Sequence, residues 1–183
     1  WSTCLSNELF RTLHTSICVA WISSEYSQCK PLKPDKNPKQ PKQMKKIVGI
    51  GNALTDMLVN LANDNVLAEY DLAKGSMNLV DAALQTSISK SVAGLPYSLS
   101  LGGSAGNTIR AMASMGCQTG FIGEVGKDTT GDFFEQALRN LSIEPHIFRG
   151  THRSGKCVSL ISPDGERTML THLGAALEMV PEM

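Results

Sequence analysis

The chain predicts an α/β fold in which helices cover a parallel sheet, and three observations carry that reading. From residue 44 onward, short apolar runs alternate with amphipathic stretches, the pattern of repeated strand–helix units. A glycine loop, Gly102-Gly103-Ser104-Ala105-Gly106-Asn107, separates a strand-like run from a helical one. The 183 residues are 42% hydrophobic with a formal net charge of zero, enough for one α/β domain with a buried core.

The elements follow in order. Ile47-Val48-Gly49-Ile50 anchors a buried first strand over 46–51 with a glycine-rich exit, and a short second strand is expected over 57–61. Helical spacing covers 65–72 and 81–91, separated by a Lys-Gly-Ser-Met-Asn turn at 74–78. A strand over 97–101 leads into the glycine loop. Ser104 is the expected N-cap of the next helix, where Ala105, Ile109, Met112, Ala113 and Gly116 keep small or apolar groups at helical spacing. A buried strand over 119–125 precedes a helix that Thr130 would cap, with Phe133, Phe134, Ala137, Leu138 and Leu141 on one face. Ile147 and Phe148 continue a strand. Strands over 157–161 and 168–172 flank Ser162-Pro163-Asp164-Gly165-Glu166, a hairpin turn that reads as an addition to the parallel sheet.

Residues 1–43 differ in kind. They contain no glycine, hold both tryptophans, and end in a proline- and lysine-rich stretch expected to be disordered. Upstream sequence without a fold role, a cleaved organelle-targeting segment and a weak secretory signal are the three readings. The domain proper is expected over 44–183.

Composition also excludes. Balanced charge argues against nucleic acid as a partner, because phosphate binding needs concentrated basic surface. No apolar run approaches the roughly 18–20 residues of a membrane span. The cysteines at 4, 18, 29, 117 and 157 show no C-x-x-C pair and no metal-ligand spacing. They read as free thiols in a reducing compartment, hence a cytoplasmic protein with no metal site in this chain.

Several motifs invite chemistry. Gly49-Ile50-Gly51-Asn52-Ala53-Leu54 has Leu54 where a dinucleotide fingerprint needs its third glycine. Gly150 to Lys156 nearly matches P-loop spacing, but Cys157 stands where Ser or Thr would hold magnesium, and a β-rich run follows. Asp128 to Asp132 reads as a helix N-terminus, with Asp132 favourable in the first turn. Asp56, just beyond the first strand, is placed where open α/β sheets bind ligands, and its carboxylate suits adjacent hydroxyls. Ser104 and Asn107 with the flanking glycines would form the opposing jaw.

Taken in order, residues 49–56, 102–107, 120–131 and 154–169 resemble the N-terminal half of the PfkB-type, ribokinase-like carbohydrate kinases, most closely their adenosine-kinase branch. The resemblance implies a three-layer α/β/α sandwich with a small β lid, cut short on its C-terminal side. The lid would come from 57–61, 75–80, 97–101 and the 157–172 hairpin. It implies transfer of the γ-phosphoryl group of ATP, with Mg2+, to a primary hydroxyl of a small-molecule sugar or nucleoside such as adenosine, ribose or fructose. Asp56, Gly102, Gly103, Ser104 and Asn107 would bind the sugar, while Asn52 and Cys157 match positions lining the nucleoside pocket. The catalytic base and most of the ATP site belong to a motif expected beyond Met183, which would leave this chain silent alone. A homodimer through the lid is a further implication for the full-length protein, and a non-catalytic sugar-binding module is the rival reading.

Overall fold

The computed structural model describes residues 45–180, so the leader expected over 1–43 lies outside the described residues. Its strands form two sheets. A three-stranded parallel sheet runs β1 (Ile47–Ile50), β5 (Thr119–Val125), β6 (Ile143–Arg149) in that spatial order. A five-stranded sheet runs β3 (Met77–Leu79), β8 (Arg167–His172), β7 (Gly155–Ile161), β2 (Leu54–Asn60), β4 (Tyr97–Leu101).

Helices α3 (Ser104–Ser114) and α4 (Thr129–Asn140) cover one face of the parallel sheet. Ala105 and Ile109 of α3 and Phe134 and Leu138 of α4 meet Phe121, Val125 and Ile143 of the strands. The Phe121 and Phe134 rings lie tilted with centroids 5.5 Å apart, a favourable aromatic arrangement. Helix α3 passes so close to β1 that a Cβ on Gly49 would stand 2.5 Å from the Ile109 side chain. The opposite face leaves Val48, Ile50 and Phe148 exposed.

Helices α1 (Asn65–Glu69) and α2 (Ala82–Ser91) cover one face of the second sheet. Leu67, Ile88 and Val92 pack on Met57, Val59, Val158, Leu160 and Leu170. Gln85 of α2 fastens this layer by donating its amide N–H to the Lys156 and Leu170 carbonyls. The hairpin between β7 and β8 closes where Ser162 N donates to the Glu166 carbonyl.

The structure departs from several expectations. The hairpin is central to the five-stranded sheet, because β7 pairs in parallel with β2 as well as antiparallel with β8. The expected turn at 74–78 gives way to β3 at Met77, an edge strand drawn in by pairing with β8. The helix expected over 65–72 ends at Glu69. There Asp71 adopts φ 50°, and Leu72 N donates to the Leu67 carbonyl in a Schellman closure. Ser104 is the first residue of α3, and its cap is Gly103. Thr130 lies inside α4, whose cap is Asp128, with its side chain accepting from Gly131 N at 2.8 Å.

Candidate functional site

The second strand begins earlier than expected, and this repositions the most important candidate. Asp56 lies within β2, paired with Ser100 of β4 and Cys157 of β7, and not in a turn. Strand alternation turns Met57 and Val59 into the helix-covered core and Asp56 to the other face. Register continues the row across the sheet as Ser100, Asp56, Cys157, Thr171, Leu79. The next row is Ser98, Leu58, Ser159, Met169, Met77. Asp56 therefore sits on a face well supplied with hydroxyl side chains.

The glycine loop closes directly on it. Gly102 N donates to the Leu54 carbonyl at 2.8 Å, which lays the loop against the start of β2. A Cβ on Gly102 would overlap the Asp56 carboxylate. Gly103 has φ 77°, a left-handed conformation suited to glycine, and a Cβ there would lie 2.6 Å from the Asn52 carbonyl oxygen. Asn52, Asp56, Gly102 and Gly103 are thus contiguous. Ser104 and Asn107 follow in the first turn of α3, both exposed, and Asn107 N donates to the Gly103 carbonyl at 2.9 Å.

Electrostatics separate the polar groups. Burial pushes the Asp56 carboxyl above its ordinary range, and the charges of Arg167 and Arg110 partly offset that push. Burial also raises the Cys157 thiol, against hydrogen bonds with Thr171 and Ser159, so this cysteine is a poor nucleophile. Its sulfur lies 3.7 Å from Ser159 Oγ. Arg110 and Arg167 were not among the residues expected from sequence. Arg110 follows Asn107 by three residues on α3, a helical spacing that signals a shared face.

The remaining motifs sort differently. Gly150 to Cys157 runs into strand β7 instead of a helix, so the near-match to a P-loop lacks the helix N-terminus that holds phosphate. Asp128 caps α4, as a helix-start reading of that segment requires. Among the described residues, no group of three or more His, Cys, Asp or Glu side chains is arranged to hold a metal ion. Among the same residues, no helix is long and apolar enough to cross a membrane.

Comparison with known proteins decides the family. The pfkB family carbohydrate kinase model matches residues 72–183. The chain belongs to the pfkB family of carbohydrate kinases. Among solved structures, a probable sugar kinase from Rhizobium etli is similar at 30% identity and TM-score 0.67, over 76% of this chain and 42% of that one. An adenosine kinase from Sinorhizobium meliloti is similar at 31% identity and TM-score 0.65, with coverage of 76% and 42%. An adenosine kinase from Schistosoma mansoni, in complex with 2-fluoroadenosine, is similar at 26% identity and TM-score 0.62, with coverage of 72% and 39%. The chain of this pfkB family member therefore spans about two fifths of the length of these structures. Curated protein sequences give no match. The fold is ribokinase-like, and the five-stranded sheet comprises the segments expected to form a lid.

Proposed function

We propose that this chain supplies the sugar-holding part of an ATP-dependent kinase for a sugar or nucleoside hydroxyl, with an adenosine-like nucleoside ahead of ribose or fructose. The observation that carries it is the Asp56 carboxylate seated on the Gly102 backbone, at the junction of the two sheets and on a hydroxyl-rich face. A carboxylate so placed accepts two hydrogen bonds from neighbouring sugar hydroxyls. Gly102 and Gly103 lack side chains, so a ring can approach the backbone closely. Ser104 and Asn107 present a hydroxyl and an amide from α3, while Asn52 and Cys157 form the nearby walls.

Two roles follow for these residues: orienting the acceptor hydroxyl and excluding water once the lid sheet closes. The similarity of the chain to two adenosine kinases supports the nucleoside preference. ATP, with Mg2+, would supply the phosphoryl group and neutralise its charge. The base and most of the nucleotide site belong, on this reading, to the remaining three fifths of a family-length domain.

Isothermal titration of the chain with adenosine, ribose and fructose, with and without ATP, tests the reading. We expect adenosine to bind, Asp56→Asn to weaken it about tenfold or more, and no phosphorylated product to form. A chain that binds none of the three would refute the acceptor-site reading. Turnover by the chain alone would overturn the division of labour.

A further inference from the structure

The chain crosses between its two sheets in three places: 51–53, 102–103 and 150–154. Backbone contacts seal the first two against each other, through Gly102 N to the Leu54 carbonyl and Gly103 against Asn52. The third is held by backbone bonds from Gly150 N to the Val125 carbonyl and from Ala175 N to the Arg153 carbonyl, and in addition by side chains. Asp128 Oδ1 accepts from Ser154 Oγ at 2.6 Å and from Gly131 N at 2.8 Å, while Oδ2 accepts from Ser154 N at 2.8 Å. Ser154 Oγ in turn accepts from Gly126 N at 2.9 Å.

Each partner belongs to a different part. Gly126 directly follows β5, Asp128 caps α4 with Gly131 in its first turn, and Ser154 immediately precedes β7. Ser154 is buried, and there is no slack around it. A Cβ on Gly126 would lie 2.6 Å from Ser154 N, and one on Gly131 would lie 2.8 Å from Ser154 Oγ. On the far side, a Cβ on Gly155 would stand 2.5 Å from Leu54 and 2.6 Å from the Leu173 carbonyl. From Ser154, β7 runs three residues, roughly 10 Å, to Cys157, the direct neighbour of Asp56 in the sheet.

We propose that Asp128 and Ser154 form the joint that sets the five-stranded sheet against the parallel sheet, and are positioning residues for the Asp56 site. Asp56 rides on the five-stranded sheet, whereas Ser104 and Asn107 ride on α3, which is packed on the parallel sheet. A sugar gripped from both sides is held only when the closing five-stranded sheet comes to rest at one defined angle to the parallel sheet. The joint anchors the pivot of that closure at the crossing nearest β7. Burial raises the Asp128 carboxyl, but its hydrogen bonds from Ser154 and Gly131 outweigh that effect and keep it ionised below the ordinary carboxylate range.

The inference rests on the proposed sugar site for its functional half, and its test separates the two. Ser154→Ala removes the cross-bridge from the serine hydroxyl yet leaves Gly131 N on Asp128, so the cap of α4 survives. Hydrogen exchange of the 183-residue chain should show Gly155, Lys156 and Cys157 exchanging about tenfold faster or more in Ser154→Ala, with amides 132–140 of α4 unchanged. Asp128→Asn should give the same pattern, because its amide NH2 would confront Ser154 N. Unchanged exchange in β7, or equal loosening of β7 and α4, would overturn the joint whether or not any sugar binds. Titration with adenosine then reads positioning. Wild-type binding that weakens about fivefold or more in Ser154→Ala supports it, and equal binding by the two proteins overturns it. If the wild type binds no adenosine, the sugar-site reading fails while the exchange result still decides the joint.

Discussion

Replacing Gly102 by alanine is the sharpest perturbation of the site. The new Cβ would overlap Asp56 Oδ1 and stand 2.8 Å from Oδ2. Ordinary contact needs about 3.5 Å or more, so the carboxylate must retreat by about 1.4 Å or rotate away. Gly102 does not have a positive φ, so alanine adds no backbone strain of its own. Asp56 is only half-buried, so its carboxylate can turn toward solvent, which places the stability cost near the low end of overpacking, about 1 kcal/mol. The loss at the site is larger. Hydrogen bonds to a charged acceptor contribute about 1.5–3 kcal/mol, so misplacing the sugar-holding carboxylate of the proposed function should weaken adenosine binding by about 10- to 100-fold. Two assays read the result. Calorimetry with adenosine gives the affinity, and carbon NMR of the Asp56 carboxyl gives its titration. The wild-type carboxyl should titrate above its ordinary value, because burial disfavours the charge, and Gly102→Ala should bring it back down. A Gly102→Ala protein with wild-type affinity and an unmoved Asp56 titration would refute the contact on which the site is built.

Two further outcomes concern the scaffold. Gly49→Ala drives a methyl against Ile109 and should cost about 1–3 kcal/mol in urea unfolding. The double variant with Ile109→Ala should recover part of it, and strict additivity would contradict the close helix–strand contact. Glu178 accepts from Thr151 N, His152 N and their side chains, which hold its carboxyl down to about 2. A carboxylate with a lowered folded value contributes stability that is full above its ordinary 4.5 and fades as pH falls toward about 2. The wild type should therefore lose more stability than Glu178→Gln across that window, and parallel curves would count against these bonds.

Much of this fold was legible from local pattern. Strands β4 and β5 match the expected 97–101 and 119–125, because glycines bound their apolar runs. The four segments expected to build a lid also pair into one sheet. What escaped depends on distant partners. Aspartate is a poor strand former, so local preference starts the strand at Met57. Pairing with Ser100 and Cys157 overrides that preference and draws Asp56 into β2. Asp128 and Thr130 are both good caps two residues apart. Ser154, 26 positions downstream, favours Asp128, and no local rule sees it. Leu72 looked helical because it is apolar at the right spacing, and it does pack with Leu67 in the core. It does so from beyond the Schellman closure.

On the proposed function, the carboxylate of Asp56 and the amide of Asn107 hold one polyhydroxylated guest between two sheets. Adding adenosine to chain labelled for NMR, while following the Asp56 carboxyl carbon and the Asn107 side-chain amide, tests it most directly. Both signals should move along one saturable curve with one affinity. Signals that stay still, or that move with different affinities, would contradict it.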